Sequence, residues 1–310
     1  MTLIHPKHQV EQSSMPTVTA TSSIAYAHYT LYEALPRLAA RGFTRIEIGS
    51  FRSYCYHFNN GSPRPGELRT MLDDYGLTAI ALNWNAGIGG SCEDGAIEEW
   101  IEGYKVKIED AQVVGIPMMT MHFGRHHAGG DLSEERKHAT EAYARLAEYA
   151  SQQGMTMLLE LPHMHLVHHD CESVVALLEQ LDFANVGLLI DSSHWGVIGY
   201  DLDEFLSRAG HRLRHIHLRD SVPRSNAELD RKFKRPALSP NPAYNLTLTP
   251  GLGVVDFAHF GQALDQLGYQ GDVTTEFEYF DMPLDEIERQ YDAGLLHLEH
   301  CGWALADGSS

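Results

Sequence analysis

Short apolar runs alternate with longer stretches of mixed polar and apolar residues from about residue 17 almost to the end of the chain. The short runs are rich in aliphatic and β-branched residues, which is typical of strands buried in a parallel sheet. In the longer stretches apolar residues recur at helical spacing, and glycines or aspartates stand where helix caps are expected. The pattern predicts eight strands, at residues 17–24, 43–48, 77–83, 117–122, 155–161, 186–191, 214–218 and 272–277.

Strand and helix therefore alternate along the chain, which is typical of the α/β class. Eight alternations favour a closed (β/α)8 TIM barrel in a single domain, and an open doubly wound sheet is the alternative. We predict a flexible N-terminal tail at residues 1–15, the barrel at 16–302 and a C-terminal tail at 303–310. Residues 220–253 interrupt the alternation and are expected to form a long loop insertion on the C-terminal face. The predicted helices include residues 31–41, 95–114, 132–153, 172–181, 202–209 and 256–267.

Four polar residues each close one of the later apolar runs: Glu160, Asp191, His217 and Glu276. The C-terminal ends of the strands meet at one rim of a barrel, so we expect these side chains to lie close together. Two glutamates, an aspartate and a histidine form a ligand set for one hard or borderline divalent cation. A single such residue would more simply cap a helix or pair with an arginine, but four at consecutive strands favour a metal site.

Other polar residues are predicted at the same rim and are candidates for contacts with a polyol substrate. His194 lies one turn beyond Asp191, and Arg219 lies on the same face of its strand as His217. The planar guanidinium of Arg219 could bind a sugar oxygen or a phosphate, and an ion pair with a neighbouring carboxylate is the alternative. The candidate substrate-binding residues are His194, Arg219, His122, Glu47 and His163, with Asn83 and Asn85 as further rim residues.

The chain carries 42 acidic and 23 basic side chains, which gives a net charge of −19. A protein this acidic repels phosphate backbones, which argues against nucleic-acid binding. The four cysteines lie far apart without a CxxC pair, which fits a reducing compartment, and no apolar segment is long enough to span a membrane. We therefore expect a cytoplasmic protein that binds neither nucleic acid nor membrane. Apolar residues near 293–304 could pack against a partner subunit in a homo-oligomer, either a dimer or a tetramer.

Short motifs follow one another along the chain: IEIG at 46–49, HFG at 122–124, LLEL at 158–161, LLIDSSH at 188–194, HIHLRD at 215–220, TPGLGVVDF at 249–257 and GYQGDVTTEFE at 268–278. Their order resembles the xylose isomerase-like barrel superfamily, and in particular its sugar phosphate isomerase/epimerase branch of ketose 3-epimerases and inosose dehydratases. The resemblance covers nearly the whole chain after residue 16. Leu166 stands where ketohexose epimerases carry a further glutamate, and the HLRD run is closer to the HLKD-type run of inosose dehydratases.

The resemblance implies one divalent metal ion bound by Glu160, Asp191, His217 and Glu276, with Mn as the first choice and Mg, Co or Zn as others. It also implies that Glu160 and Glu276 are catalytic and move protons, and that His194 contacts the substrate. The implied activity is that of a sugar isomerase or epimerase. Such an enzyme removes the proton next to a metal-chelated carbonyl of a keto-sugar or related polyol, through a cis-enediolate. The alternative is a lyase of the same mechanism, either inosose dehydratase-like or a 3-keto-glycoside eliminase, and a metal-dependent phosphodiesterase of the AP endonuclease type ranks last.

Overall fold

The structure is a computed structural model, and it describes residues 15–51, 54–59, 61, 63–85, 96–124, 130–163, 166–198, 201–223 and 244–306. Apart from residue 15, the predicted N-terminal tail lies outside the described residues. The same holds for residues 224–243 of the predicted insertion and for residues 307–310.

Eight parallel strands close into a barrel in which each strand pairs with the next along the chain and the last pairs with the first. Every barrel strand falls within or next to a predicted one, so the predicted (β/α)8 barrel is confirmed and the open sheet is excluded. The strands run continuously apolar because a parallel barrel buries both of their faces. They are β1 (Ala20–Ser22), β2 (Arg45–Phe51), β3 (Thr78–Asn85), β4 (Met118–Met121), β5 (Thr156–Glu160), β6 (Val186–Asp191), β7 (Leu213–Leu218) and β8 (Asp272–Thr275).

Helices between the strands bury their apolar stripes against the barrel. The six predicted helices are present, and the described part of the chain contains three further ones, at Pro65–Asp74, Ser192–Ile198 and Leu284–His300. None of the helices in the described ranges is long and apolar enough to cross a membrane. The helices are α1 (Leu31–Ala39), α2 (Pro65–Asp74), α3 (Ala96–Val114), α4 (Leu132–Gln152), α5 (Cys171–Gln180), α6 (Ser192–Ile198), α7 (Leu202–Ala209), α8 (Phe257–Leu267) and α9 (Leu284–His300).

Predicted capping residues set several helix ends. Asp201 and Asp256 cap α7 and α8, where their side chains accept backbone N–H groups of the first turn. Glycines follow five other helix ends in the left-handed conformation, which lets the chain turn sharply toward the next strand. They are Gly42 (φ 85°), Gly76 (φ 65°), Gly115 (φ 93°), Gly154 (φ 68°) and Gly268 (φ 69°).

The end of the described chain packs on the barrel. Ala304–Leu305 pair in parallel with Thr17–Val18, a short strand just before β1. Trp303 is buried, and its indole N–H donates to the carbonyl of Phe257 across 2.9 Å. The predicted start of a C-terminal tail at residue 303 is therefore wrong for residues 303–306, because strand pairing and the buried indole hold them.

Within residues 293–304, Leu295 and Leu298 point into the core of this chain, whereas Leu296 is 52% exposed. Most of the apolar character of this stretch is thus used inside the molecule. The homo-oligomer stays a prediction.

The two ends of the predicted insertion form an antiparallel ribbon between Asp220–Pro223 and Tyr244–Leu248. The carboxylate of Asp220 fixes the chain that follows this ribbon by accepting several backbone N–H groups. Such bonds orient the turn that leads to α8. Its donors there are the N–H groups of Gly251 (2.9 Å), Gly253 (2.8 Å) and Val255 (3.1 Å).

Candidate metal centre and active site

The four predicted metal ligands meet at the C-terminal mouth of the barrel. Glu160 and Asp191 end β5 and β6, His217 is the penultimate residue of β7, and Glu276 directly follows β8. One donor atom of each lies within 4.8 Å of those of the other three, and all four side chains are buried. This spacing suits a single cation bound by all four side chains.

His217 presents one ring nitrogen to this cluster, and Glu47 holds the other. Nε2 of His217 lies 2.9 Å from Oε2 of Glu47, while Nδ1 lies 3.1 Å from Oε2 of Glu276 and 3.9 Å from Oε1 of Glu160. An N–H at Nε2 that donates to Glu47 leaves the lone pair of Nδ1 for a cation. Burial disfavours a charged ring, but Glu276 and Glu47 outweigh it and raise the pKa of His217 well above its usual value. The surroundings thus favour positive charge at this point.

One oxygen of each ligand glutamate is held by a neighbouring side chain. The amide of Asn83 donates to Oε1 of Glu276 across 2.6 Å, and Oε2 of Glu160 lies 2.7 Å from Nε2 of His122. The second oxygen of each glutamate faces Nδ1 of His217. Burial raises the pKa of Glu276 to about 8. In Glu160 burial acts the same way, but the hydrogen bond with His122 and the other histidines prevail and hold its pKa well below the usual value.

Arg219 lies at the edge of the cluster and contacts three carboxylates. One terminal nitrogen contacts Asp191 and lies 3.4 Å from Glu276, and the other lies 2.5 Å from Glu278. Burial works against an ionised Asp191, but the guanidinium overcomes it and lowers the pKa of that carboxyl. The sequence suggested that Arg219 either binds a substrate oxygen or forms an ion pair with a carboxylate. In the structure it forms ion pairs with carboxylates.

Three histidines form a wall beside Glu160: His122, His163 and His194, hereafter the histidine wall. Nε2 of His194 lies 3.5 Å from Oδ2 of Asp191 and 3.9 Å from Oε1 of Glu160. The ring of His163 packs edge-on against His194, with 4.5 Å between centroids, and against His122 at 6.0 Å. The structure therefore brings all three predicted substrate contacts to the metal cluster.

Glu47 occupies a different place from the one expected of it. Its side chain is fully buried, and Oε2 lies 3.3 Å from Nε2 of His215 as well as 2.9 Å from His217. The alternation along β2 turns it into the barrel interior, behind His217. The expected position of Glu47 at the substrate rim is therefore wrong, because its side chain is enclosed inside the barrel against His215 and His217.

Sequence reasoning missed two residues that adjoin the site, Tyr54 and Glu278. Glu278 follows Glu276 by two positions in TEFE, so strand-like alternation was the signal that could have found it. Tyr54 comes from the segment after β2, where nothing in the sequence singles it out. Asn83 was predicted at the rim, and its side-chain amide donates a hydrogen bond to Glu276. The side chain of Asn85 lies outside the described residues.

The residues present fit a divalent cation. Nδ1 of His217 and Oε2 of Glu276 are buried and lie 3.1 Å apart, but neither forms a hydrogen bond of good geometry with a described residue. Buried polar atoms of this kind need a partner, and a cation can serve both. More carboxylates than Arg219 can neutralise are buried around it. A bound divalent cation would offset the cost of burying these negative charges. The buried carboxylates of this region are Glu47, Glu160, Asp191, Glu276 and Glu278.

Known proteins similar to this chain share its barrel fold. The family model of the xylose isomerase-like TIM barrel matches residues 35–301. An inosose dehydratase from Geobacillus thermodenitrificans is 32% identical over 286 residues, which cover 88% of this chain and 90% of that protein. D-psicose 3-epimerase from Clostridium cellulolyticum H10, solved with D-tagatose, has a TM-score of 0.70 at 15% identity, over 92% of this chain and 99% of that one. The IOLI protein, solved with a zinc atom, has a TM-score of 0.68 at 18% identity, over 90% and 96%.

Proposed function

Because the chain belongs to the xylose isomerase-like TIM barrel family, we propose that it is a metal-dependent enzyme that dehydrates a polyhydroxy ketone. The buried cluster of Glu160, Asp191, His217 and Glu276 supports this most directly, since two of its four ligands can also carry protons. The sequence ranked isomerase or epimerase first and lyase second. Similarity to an inosose dehydratase over nearly the full length of both chains favours the reverse order.

The four residues of the cluster would hold one divalent cation. Mixed carboxylate and imidazole ligands accept Mn²⁺, Mg²⁺, Co²⁺ and Zn²⁺, and we propose Mn²⁺ because three of the four ligands are oxygen donors. When bound, the cation supplies a Lewis acid that polarises the ketone and makes the neighbouring C–H more acidic.

Glu276 is the proposed general base. Asn83 holds its Oε1, whereas its Oε2 has no hydrogen-bond partner among the described residues. Burial raises the pKa of Glu276, which makes its carboxylate a stronger base than an exposed glutamate. Glu276 takes the proton next to the ketone, which gives the enediolate. The same carboxyl then returns that proton to the hydroxyl departing from the next carbon, so that water leaves and the glutamate is restored.

The histidine wall has a binding role in this proposal. Burial lowers the pKa of His194, so its ring stays neutral and donates a hydrogen bond to a substrate oxygen. Its neighbour His163 extends the same polar surface. Return of the proton to carbon, in place of expulsion of the hydroxyl, would make the enzyme an epimerase or isomerase, so the product decides between these outcomes.

The proposal is tested by proton NMR in D2O on Mn²⁺-loaded protein, with the metal removed before each spectrum. An inosose and a panel of ketoses serve as substrates. We expect metal-dependent deuterium entry next to the carbonyl and loss of water from one of them. Deuterium entry with a new sugar but no loss of water would make the enzyme an epimerase or isomerase. No exchange with any substrate by fully loaded protein would contradict the proposal.

Replacing Glu276 by Gln removes the proposed base and keeps a similar shape. We expect exchange to fall by about 10²-fold or more, since general acid–base catalysis typically contributes 10²–10⁴-fold. Metal content, measured by elemental analysis, should remain partial, because three ligands and the amide oxygen are still present. Unchanged exchange would remove Glu276 from the mechanism.

Replacing Asp191 by Ala removes a metal ligand, and we expect most of the bound metal to be lost. Asp201→Ala is the matched control, because that aspartate caps α7 at the surface and makes no contact with the cluster. Elemental analysis after dialysis compares the two variants. Full metal retention in Asp191→Ala would contradict the ligand assignment.

A further inference from the structure

Three polar side chains form a continuous chain from the segment after β2 to the metal cluster. The hydroxyl of Tyr54 donates to Oε1 of Glu278 across 3.1 Å, and Nη1 of Arg219 lies 2.5 Å from Oε2 of the same carboxylate. The second terminal nitrogen of Arg219 contacts Asp191 and lies 3.4 Å from Glu276. Arg219 and Glu278 are both buried, so their charges are poorly screened by water.

Side chains of the protein already pair with the guanidinium of Arg219. Its Nε donates to Oγ of Ser193 across 3.1 Å, so each nitrogen of the guanidinium has a protein partner. Within the described ranges, no lysine and no second arginine forms an ion pair with Asp191 or Glu276. A phosphate or carboxylate of a ligand would therefore meet a guanidinium that Asp191 and Glu278 already neutralise.

Aromatic rings cluster around Tyr54, next to Glu278. Tyr54 stacks on Phe51 with 5.0 Å between ring centroids and meets Phe280 edge-on, also at 5.0 Å. These rings present an apolar surface beside Glu278. Apolar walls with a few fixed polar groups are typical of sites for uncharged small molecules.

We propose that Glu278 is a specificity-determining residue that makes this site select uncharged polyols over phosphorylated or carboxylated ones. A sugar hydroxyl both donates and accepts hydrogen bonds, so it fits an arginine and a carboxylate that neutralise each other. An ionised phosphate or carboxylate only accepts, and it would compete with Glu278 for the guanidinium. The inference rests on the proposed function because that function places the sugar at the metal cluster. The inference adds the class of substrate to that function, namely uncharged polyols.

The test is the ratio of dissociation constants for neutral and phosphorylated ligands, measured by calorimetry on Mn²⁺-loaded full-length protein. The probes are ribulose with ribulose 5-phosphate and fructose with fructose 6-phosphate. We expect the wild type to bind at least one neutral sugar about tenfold more tightly than its phosphate. Glu278→Gln releases Arg219 and should shift that ratio at least tenfold toward the phosphate, because an isosteric amide removes the competing charge.

Two further variants separate selectivity from a purely structural role. Tyr54→Phe, which removes one hydrogen bond to Glu278, should shift the ratio in the same direction by a smaller factor. The double variant Glu278→Gln with Arg219→Met should lose the gain in phosphate binding, because the gain needs the guanidinium. A phosphate that binds directly to the metal would show equal affinity in all variants. Metal content and melting temperature confirm that each variant is folded and loaded.

An unchanged ratio in Glu278→Gln, tighter wild-type binding of the phosphates, or no binding of either neutral sugar would each overturn the inference. Binding does not require turnover, so this result stands apart from the exchange assay. Selectivity for neutral sugars without deuterium exchange would contradict only the proposed function. Exchange by an enzyme that prefers the phosphates would contradict only the role of Glu278.

Discussion

At the scale of single residues, the contact between Glu47 and His217 joins side chains that lie 170 positions apart in the sequence. Oε1 of Glu47 has no hydrogen-bond partner among the described residues, while its Oε2 bonds to Nε2 of His217 and lies 3.3 Å from Nε2 of His215. A carboxylate behind a metal-binding histidine fixes which ring nitrogen carries the proton and how the ring is turned. Glu47 is thus suited to prepare Nδ1 of His217 for a cation.

Replacing Glu47 by Gln should lower metal affinity by about 10–100-fold, the usual effect of changing such an outer partner of a metal ligand. The amide can still accept from Nε2–H, but it no longer supplies the charge that strengthens the histidine as a ligand. Competition with a chelating indicator measures the affinity. Glu67→Gln, an exposed carboxylate paired with Arg64, is the control and should bind metal like the wild type. Equal affinity in the two variants would refute the role of Glu47.

At the scale of elements, the turns from helix to strand depend on glycines whose conformation other residues reach only with strain. Gly268 ends α8 with φ 69°, and a Cβ placed there would meet no atom within 4 Å. Gly66 lies in the first turn of α2 at an ordinary helical φ and is equally open. An added methyl group would have room at both sites, so steric overlap cannot explain a difference between the two substitutions. Only the left-handed backbone at Gly268 would cause strain.

We expect Gly268→Ala to lower the free energy of unfolding by about 1–2 kcal/mol, the cost of left-handed backbone for an L-residue. Gly66→Ala should instead raise it by roughly 0.5–1 kcal/mol, because alanine loses less backbone entropy in a helix. Urea unfolding of both variants measures the two changes. A similar effect of both substitutions would contradict the assignment of strain to Gly268.

At the scale of the whole molecule, the loops that surround the barrel mouth are tied together by a buried histidine. Nδ1 of His57 lies 2.9 Å from Oγ of Ser23, and its Nε2 lies 3.0 Å from the carbonyl oxygen of Tyr29 and 3.2 Å from that of Tyr26. The ring therefore donates from Nε2 and accepts at Nδ1. Burial lowers the pKa of His57 to about 4, so the folded protein keeps it neutral.

This histidine predicts an acid-sensitive contribution to stability. Between a folded pKa of about 4 and an unfolded value of about 6.5, the unfolded chain binds more protons, so stability rises with pH across this window. The contribution is complete above pH 6.5 and is lost toward pH 4, in total about 3 kcal/mol. Unfolding free energies of wild type and His57→Gln at several pH values isolate it. We expect a shallower slope in the variant, and parallel curves would show that His57 does not titrate this way.

The sequence alone determined the architecture and the positions of the four clustered residues. Each strand and helix has a period of apolar residues that is set by local geometry, and the caps at Asp201, Asp256 and Gly268 follow from local backbone chemistry. The clustering of Glu160, Asp191 and their partners was also predictable, because the C-terminal ends of all barrel strands meet at one rim. Their roles in binding metal and moving protons stay predictions.

Only the tertiary structure determined which side chains contact the predicted site residues. Glu47 contacts His217 inside the barrel, Arg219 pairs with Glu278, and Ala304–Leu305 pair with Thr17–Val18. These outcomes depend on which residues from distant parts of the sequence are brought within a few ångströms, and on which charges are buried together. Local periodicity carries no information about such pairs, because their energy arises only when the closed barrel removes them from water.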